Sequence, residues 1–315
     1  MAKDGAEDIG SVGTAASTIA ESVEEFLSIP KCMLFTSRIP HIVLNDSSVM
    51  PMMAFGTGTY WQKPHPEGPF TRSMVEFFKI VIMQGYRHFD CADFYGTEEE
   101  VGVAIQESGI PREDFYITTK VRDGMDDVEA ALDRSLKRLG THYVDLFLIY
   151  SPSFARTPQD LQHAWKEMEK LVSTKKTRSI GVSNYQREHI EPVLEVATLK
   201  PAVNQIEFHP YARCLDYAYW LEDNNIQVQG FFGLAPLNLS SGGPLDRVLP
   251  CIAHIYDVNE NAVLIQWMLS YGVTSISTSR DPVRIEQYLK VTEFKLDEGL
   301  VSLITVVGNA NNICT

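Results

Sequence analysis

The sequence lacks a Cys-x-x-Cys pair, a long apolar run and an excess of positive charge, and each absence removes a class of protein. Its five cysteines (Cys32, Cys91, Cys214, Cys251, Cys314) are scattered and odd in number, which points to free thiols in a reducing compartment and to no metal cage. No run reaches the roughly 18 apolar residues of a membrane span, and the start, "MAKDGAEDIGSVGTAAS", is acidic without the apolar core of a secretory signal. A cytoplasmic protein is expected. On that reading the sequons at Asn45 and Asn238 carry no weight. A net charge of -14 repels phosphate backbones and anionic lipid, so neither nucleic acid nor membrane is the expected partner. No Gly-x-Gly-x-x-Gly follows the first strand, which removes support for a Rossmann cofactor site.

What remains is a globular chain of 315 residues, 44% apolar and 22% charged, large enough to bury a sizeable core and suited to small-molecule chemistry. Residues 1–38 read as an appendage in which "STIAESVEEFLSIP" places Ile19, Val23, Phe26 and Leu27 on one helical face. It is either a partly ordered tail with one docking helix or a partner-binding helix. Residues 39–315 read as a single domain. "HIVLNDSSVMPM" predicts a hairpin turning at Asn45-Asp46-Ser47. Eight short apolar runs follow: "MMAFGT", "RHFDCA", "FYITTKV", "VDLFLIYS", "RSIGVS", "AVNQIEFH", "IQVQGFFGL" and "TSISTS". Amphipathic stretches such as "TRSMVEFFKIVIMQ" and "VEAALDRSLKRL" separate them. Eight strand-helix units in roughly 250 residues predict an α/β fold, the closed (β/α)8 TIM barrel, because doubly wound sheets usually stop at about five or six strands.

Barrel chemistry sits at the C-terminal ends of the strands. That rule collects Asp90 from the second run, Lys120 from the third, Tyr150 from the fourth, Ser183 and Asn184 from the fifth, and Gln205 with Glu207 from the sixth, with Tyr95 in the loop after Asp90. An ammonium at Lys120, held by Asp90, would lower the Tyr95 phenol from about 10 and let it exchange a proton near neutral pH. Equally, Asp90 and Lys120 could be a structural ion pair beside a loop aromatic. Position alone leaves both open.

The segments "MPMMAFGTGT", "GYRHFDCADFYGTEEEVGVAI", "FYITTKV", "LDRSLKRLGTHYVDLFLI", "SIGVSNY" and "NQIEFHPY" resemble the signature segments of the aldo-keto reductases, in the family's order, within a resemblance covering about residues 40–300. The resemblance implies a barrel, often monomeric, that binds NADPH without a Rossmann domain and passes hydride to a carbonyl. Its catalytic set is an Asp, a Tyr, a Lys and a His. Carried over by motif, these are Asp90, Tyr95 and Lys120, while Tyr150 stands where the family has its histidine. A tyrosine also donates a hydrogen bond, but it reaches roughly 2 Å further and titrates near 10 rather than near 6.5. Tyr150 therefore fills part of the carbonyl slot or reorients the substrate. In a pseudoenzyme it would merely pack.

The resemblance also assigns a cofactor site. Ser183, Asn184 and Gln205 would hold the nicotinamide carboxamide, Phe231 would stack on its ring, and Thr57, Leu234, Thr278, Ser279 and Arg284 complete the set. The family's "IPKS" reads "ISTS" here, so Thr278 replaces the lysine that meets the 2'-phosphate, while Ser279 and Arg284 remain and Arg280 offers compensation. Gln287 and Tyr288 stand where an acid and an amide are usual. One lost cation weakens phosphate selection without abolishing it, so NADP(H) is expected ahead of NAD(H). After the closing helix "LDEGLVSLITVVG" only "NANNICT" remains, which predicts a pocket open on that side for a large or extended substrate. The expected activity is NADP(H)-dependent reduction of a carbonyl or conjugated enone by a monomer or weak dimer. Two other readings remain: a redox-silent isomerase, cyclase or dehydratase shuttling protons through Tyr95, Lys120 and Tyr150, or a cofactor-sensing regulatory subunit.

Overall fold

A computed structural model describes residues 39–212 and 214–310; the expected appendage, Cys32 and Cys314 lie outside the described residues. The hairpin forms as read. β1 (His41–Val43) pairs antiparallel with β2 (Val49–Pro51), Ile42 facing Met50. Its turn carries Ser47 at φ 69, and Asp46 Oδ1 accepts from the amide and hydroxyl of Ser48.

Eight parallel strands then close a barrel: β3 (Met53–Gly56), β4 (His88–Asp90), β5 (Tyr116–Val121), β6 (Val144–Ile149), β7 (Thr177–Ser183), β8 (Val203–Glu207), β9 (Gln227–Phe231) and β10 (Thr274–Ser277), with β10 returning to β3. Each falls on one of the eight predicted runs, β7 starting one residue ahead of its run, at Thr177. Between them run the helices α1 (Arg72–Met83), α2 (Glu98–Ser108), α3 (Val128–Leu139), α4 (Pro158–Ser173), α5 (Arg187–Val196) and α6 (Leu215–Asp223), and α1 and α3 fall on the two amphipathic stretches quoted from the sequence. Their apolar stripes bury against the outside of the strands, Trp165 of α4 and Phe77 and Phe78 of α1 being enclosed there.

Two apolar cores result. The larger lies between strands and helices. The smaller, inside the barrel, joins Leu44 and Met50 of the hairpin region to Tyr116, Leu146, Leu148 and Val203, so the hairpin plugs the N-terminal end. At Gly181 an added Cβ would come within 2.5 Å of the Val203 carbonyl and 2.8 Å of Leu148 Cδ2, so glycine lets β7 and β8 close around this core. With one end plugged, the other end is left for chemistry.

Candidate active site

The floor of that end is a buried ion pair. The register sets Asp90 opposite Thr118 and Lys120 opposite Leu148, and strand alternation turns Asp90, Thr118, Lys120 and, on the next strand, Leu146, Leu148 and Tyr150 to the same side. The Lys120 ammonium donates to Asp90 Oδ1 at 2.7 Å and to the Cys91 carbonyl at 2.8 Å. The second Asp90 oxygen accepts from Gln205 Nε2 at 2.7 Å, and that amide also donates to Gln229 Oε1 at 3.0 Å. Both charges are thus paired and hydrogen-bonded, the condition for keeping them inside a protein.

Tyr95 stands on this floor. It ends the 3-10 turn Asp93–Tyr95, with the Lys120 ammonium 5.0 Å from its ring centroid. A Cβ at Gly58 would lie 2.9 Å from Tyr95 Cζ, so the ring seats only against a glycine. Lys63 N donates to the Tyr95 carbonyl at 3.0 Å, and the Lys63 side chain forms a buried pair with Glu100 at 2.6 Å. The loop after β3 is thereby fixed against the turn that carries the phenol.

The expected lowering of the Tyr95 phenol is corrected by the structure. Burial raises it well above its ordinary value, and the Asp90 carboxylate and Tyr150 push it the same way. The Lys120 charge does not outweigh this, because Asp90 and the Cys91 carbonyl already hold that ammonium. Tyr95 is consequently a phenol that stays protonated at neutral pH.

Tyr150 lies beside Tyr95. Its amide extends the ladder to the Val121 carbonyl at 2.9 Å; its ring meets that of Tyr95 edge-on at 6.3 Å. Phe94 completes a triangle of edge contacts, 6.4 Å from Tyr95 and 6.3 Å from Tyr150. Beside it, Asn184, at φ 59, donates to the Tyr150 carbonyl at 2.9 Å and to Ser183 Oγ at 3.2 Å, and Ser183 Oγ donates to the Gln205 carbonyl at 2.9 Å.

The remaining expected positions follow the barrel round to its seam. Phe231 ends β9 half-buried, its ring 5.1 Å from Phe232, and Leu234 is buried just beyond. Thr278 and Ser279 follow β10; the Thr278 hydroxyl is buried with no hydrogen-bond partner among the described residues, whereas Ser279 Oγ accepts from Asp281 N. Arg284 is exposed and, among the described residues, its one ion pair is a 3.8 Å contact with Asp281. Arg280 donates to the Tyr60 carbonyl and lies over Trp61. Thr57 is enclosed, its hydroxyl donating to the Asp90 carbonyl at 3.1 Å and accepting from Thr97, so it braces the floor of the site. Glu207, half-exposed, is instead paired with His209 at 2.9 Å.

A model of the aldo/keto reductase family matches residues 52–308. The chain belongs to that family. The match takes in all eight barrel strands with Asp90, Tyr95, Lys120 and Tyr150. The chain is 35% identical over 262 residues to an NAD/NADP-dependent indole-3-acetaldehyde reductase of Schizosaccharomyces pombe, covering 82% of this chain and 92% of that protein. It is 37% identical over 267 residues to a glyoxal reductase of Bacillus subtilis, covering 84% and 91%. Among solved structures, a Bombyx mori aldo-keto reductase in complex with NADP superposes with a TM-score of 0.77 at 29% identity, covering 85% of this chain and 92% of that one. Within this aldo/keto reductase barrel, sequence reasoning missed Gly58, Phe94, Gln229 and the Lys63–Glu100 pair. Gln229 could have been found, since it sits in register with Gln205; the pair could not, because no period links residues 63 and 100.

Proposed function

We propose that this aldo/keto reductase uses NADP(H) to reduce a carbonyl or conjugated enone of a small organic substrate, with Tyr95 as the proton donor. The observation that carries the reading is the protonated, half-buried Tyr95 phenol above the Lys120–Asp90 pair and edge-on to the Tyr150 ring. When bound, the reduced nicotinamide supplies a hydride to the electrophilic carbon. The chain's part is the proton: Tyr95 donates it to the oxygen as negative charge grows there, and the nearby Lys120 ammonium stabilises the phenolate left behind. Tyr150 adds a second donor at that oxygen or holds Tyr95 in line.

The residues present fit such a cofactor. The Phe231 ring offers a face for the nicotinamide, Asn184, Ser183 and Gln205 cluster beside it, and the partnerless Thr278 hydroxyl with the loosely held Arg284 suits a phosphate. Arg is the better bidentate partner, which keeps NADP(H) ahead of NAD(H); Arg280, bound to Tyr60, compensates only by leaving that contact. The free thiols Cys91, Cys214 and Cys251 support a cytoplasmic setting, and among the described residues no helix is long and apolar enough to cross a membrane. We take the working form as a monomer or weak dimer.

The test is NADPH absorbance followed with aldehydes, quinones and enones. Oxidation that depends on substrate and on Tyr95 is the expected result. Product formed without cofactor consumption would instead select a redox-silent isomerase, cyclase or dehydratase, which the adjacent pair of phenols could also serve. Cofactor binding without any product would select a regulatory role.

A further inference from the structure

We propose that Arg122 selects substrates carrying a carboxylate several bonds away from the reacting carbonyl; this rests on the reductase reading above and names its substrate class. Arg122 lies two residues beyond Lys120, at the mouth of the site. Its guanidinium stacks on Phe94, 3.7 Å from the ring centroid, and Phe94 is the ring that touches both Tyr95 and Tyr150. The base of the side chain is fixed as well, because Arg122 N donates to both oxygens of Asp93 at 3.2 Å. Asp93 is therefore turned to backbone amides, and the neighbouring Asp123 forms no ion pair with Arg122 among the described residues.

The chain carries 41 acidic against 27 basic residues, and other arginines near β5 and β6 are claimed by buried carboxylates: Arg112 and Arg178 by Asp145, Arg138 by Glu98. Arg122 is exposed and, among the described residues, joins no ion pair. A guanidinium stacked by its face keeps its edge donors free, and that edge matches a carboxylate in two parallel hydrogen bonds. Since one ring separates this edge from the two phenols, the carboxylate must sit about a ring's width from the carbonyl. A 2-oxo acid, with the groups adjacent, does not span it; a longer oxo acid or a para-substituted aromatic aldehyde does.

The test compares 4-carboxybenzaldehyde with methyl 4-formylbenzoate, equal in reach but differing in charge. The wild-type protein should favour the acid in kcat/KM by roughly tenfold or more, as a charge-assisted bidentate contact provides. Arg122→Gln should remove that preference, mainly through KM, and leave the ester unchanged; Arg122→Lys should keep part of it. Equal rates for acid and ester in the wild type, or an equal loss on both in Arg122→Gln, would overturn the proposal, the latter meaning that Arg122 only props Phe94. Calorimetric titration of 4-(hydroxymethyl)benzoate into protein with NADP+ gives a readout without turnover. If neither aldehyde is reduced yet this carboxylate binds more weakly to Arg122→Gln, the reductase reading fails and the Arg122 assignment stands.

Discussion

Tyr95 is set by its surroundings to give a proton rather than to take one, and its neighbours divide the work around it. Tyr95→Phe should cut turnover by roughly 10²- to 10⁴-fold while NADPH affinity, read by fluorescence quenching, stays unchanged, because the lost hydroxyl acts on the reacting oxygen. Tyr150 separates chemistry from shape by two substitutions. Tyr150→Phe keeps the ring in its edge contacts with Tyr95 and Phe94 and removes only the hydroxyl; a loss on the order of 10²-fold or more assigns that hydroxyl to the reaction, and little change assigns the residue to shaping the slot. Tyr150→His should open room and restore an N–H donor, speeding simple aldehydes at the expense of the native substrate. At this scale the sequence was legible where a motif fixed a residue to a strand end, as for Asp90, Lys120 and Tyr150. It misled on the phenol's acidity, because burial and the partners that neutralise Lys120 are properties of the packed interior.

At the scale of elements, period 2 and period 3.6 made the eight strands and the helices between them readable, and the hairpin followed from its turn residues. The loop after β3 had no such period, yet it braces the turn that carries Tyr95. It does so through Lys63 and Glu100, both almost fully enclosed, with Glu100 Oε1 also accepting from Thr71 N at 2.8 Å. Glu100→Ala leaves an uncompensated buried ammonium and should cost about 3–5 kcal/mol; chemical denaturation would show it as a lower midpoint. Replacing both members by apolar residues of similar volume, Lys63→Met with Glu100→Leu, should recover most of that stability. Turnover should stay below wild type in the double variant if the pair's purpose is to hold the loop against Tyr95, and it should return fully if the pair is merely structural.

For the whole molecule, the plug and the barrel are joined by a histidine that cannot comfortably take a proton. His88 is fully buried at the inner end of β4. Its Nδ1 lies 3.0 Å from the Pro51 carbonyl of the hairpin, which can only accept, so Nδ1 carries the hydrogen and Nε2, 2.9 Å from Thr118 Oγ1, accepts from that hydroxyl. Burial pulls the imidazole down to about 4, and the Pro51 contact and the more distant Asp90 and Asp145 charges oppose this without reversing it. In the unfolded chain the same group titrates near 6.5. As pH falls below about 6.5 the unfolded state takes up the proton first, so stability falls with pH until the folded group also titrates near 4. The full loss from this one residue is about 3 kcal/mol, of which about 2 kcal/mol accrues by a pH of about 5. Above about 6.5 both states are neutral and the residue adds no pH dependence. His88→Gln keeps a donor and an acceptor but cannot titrate. It should be less stable than wild type at neutral pH, since its amide fits the imidazole site poorly, and its denaturation midpoint should change less between pH 6.5 and 5 than the wild-type midpoint does. Equal slopes for the two proteins over that range would show that the junction between hairpin and barrel is not what acid undoes.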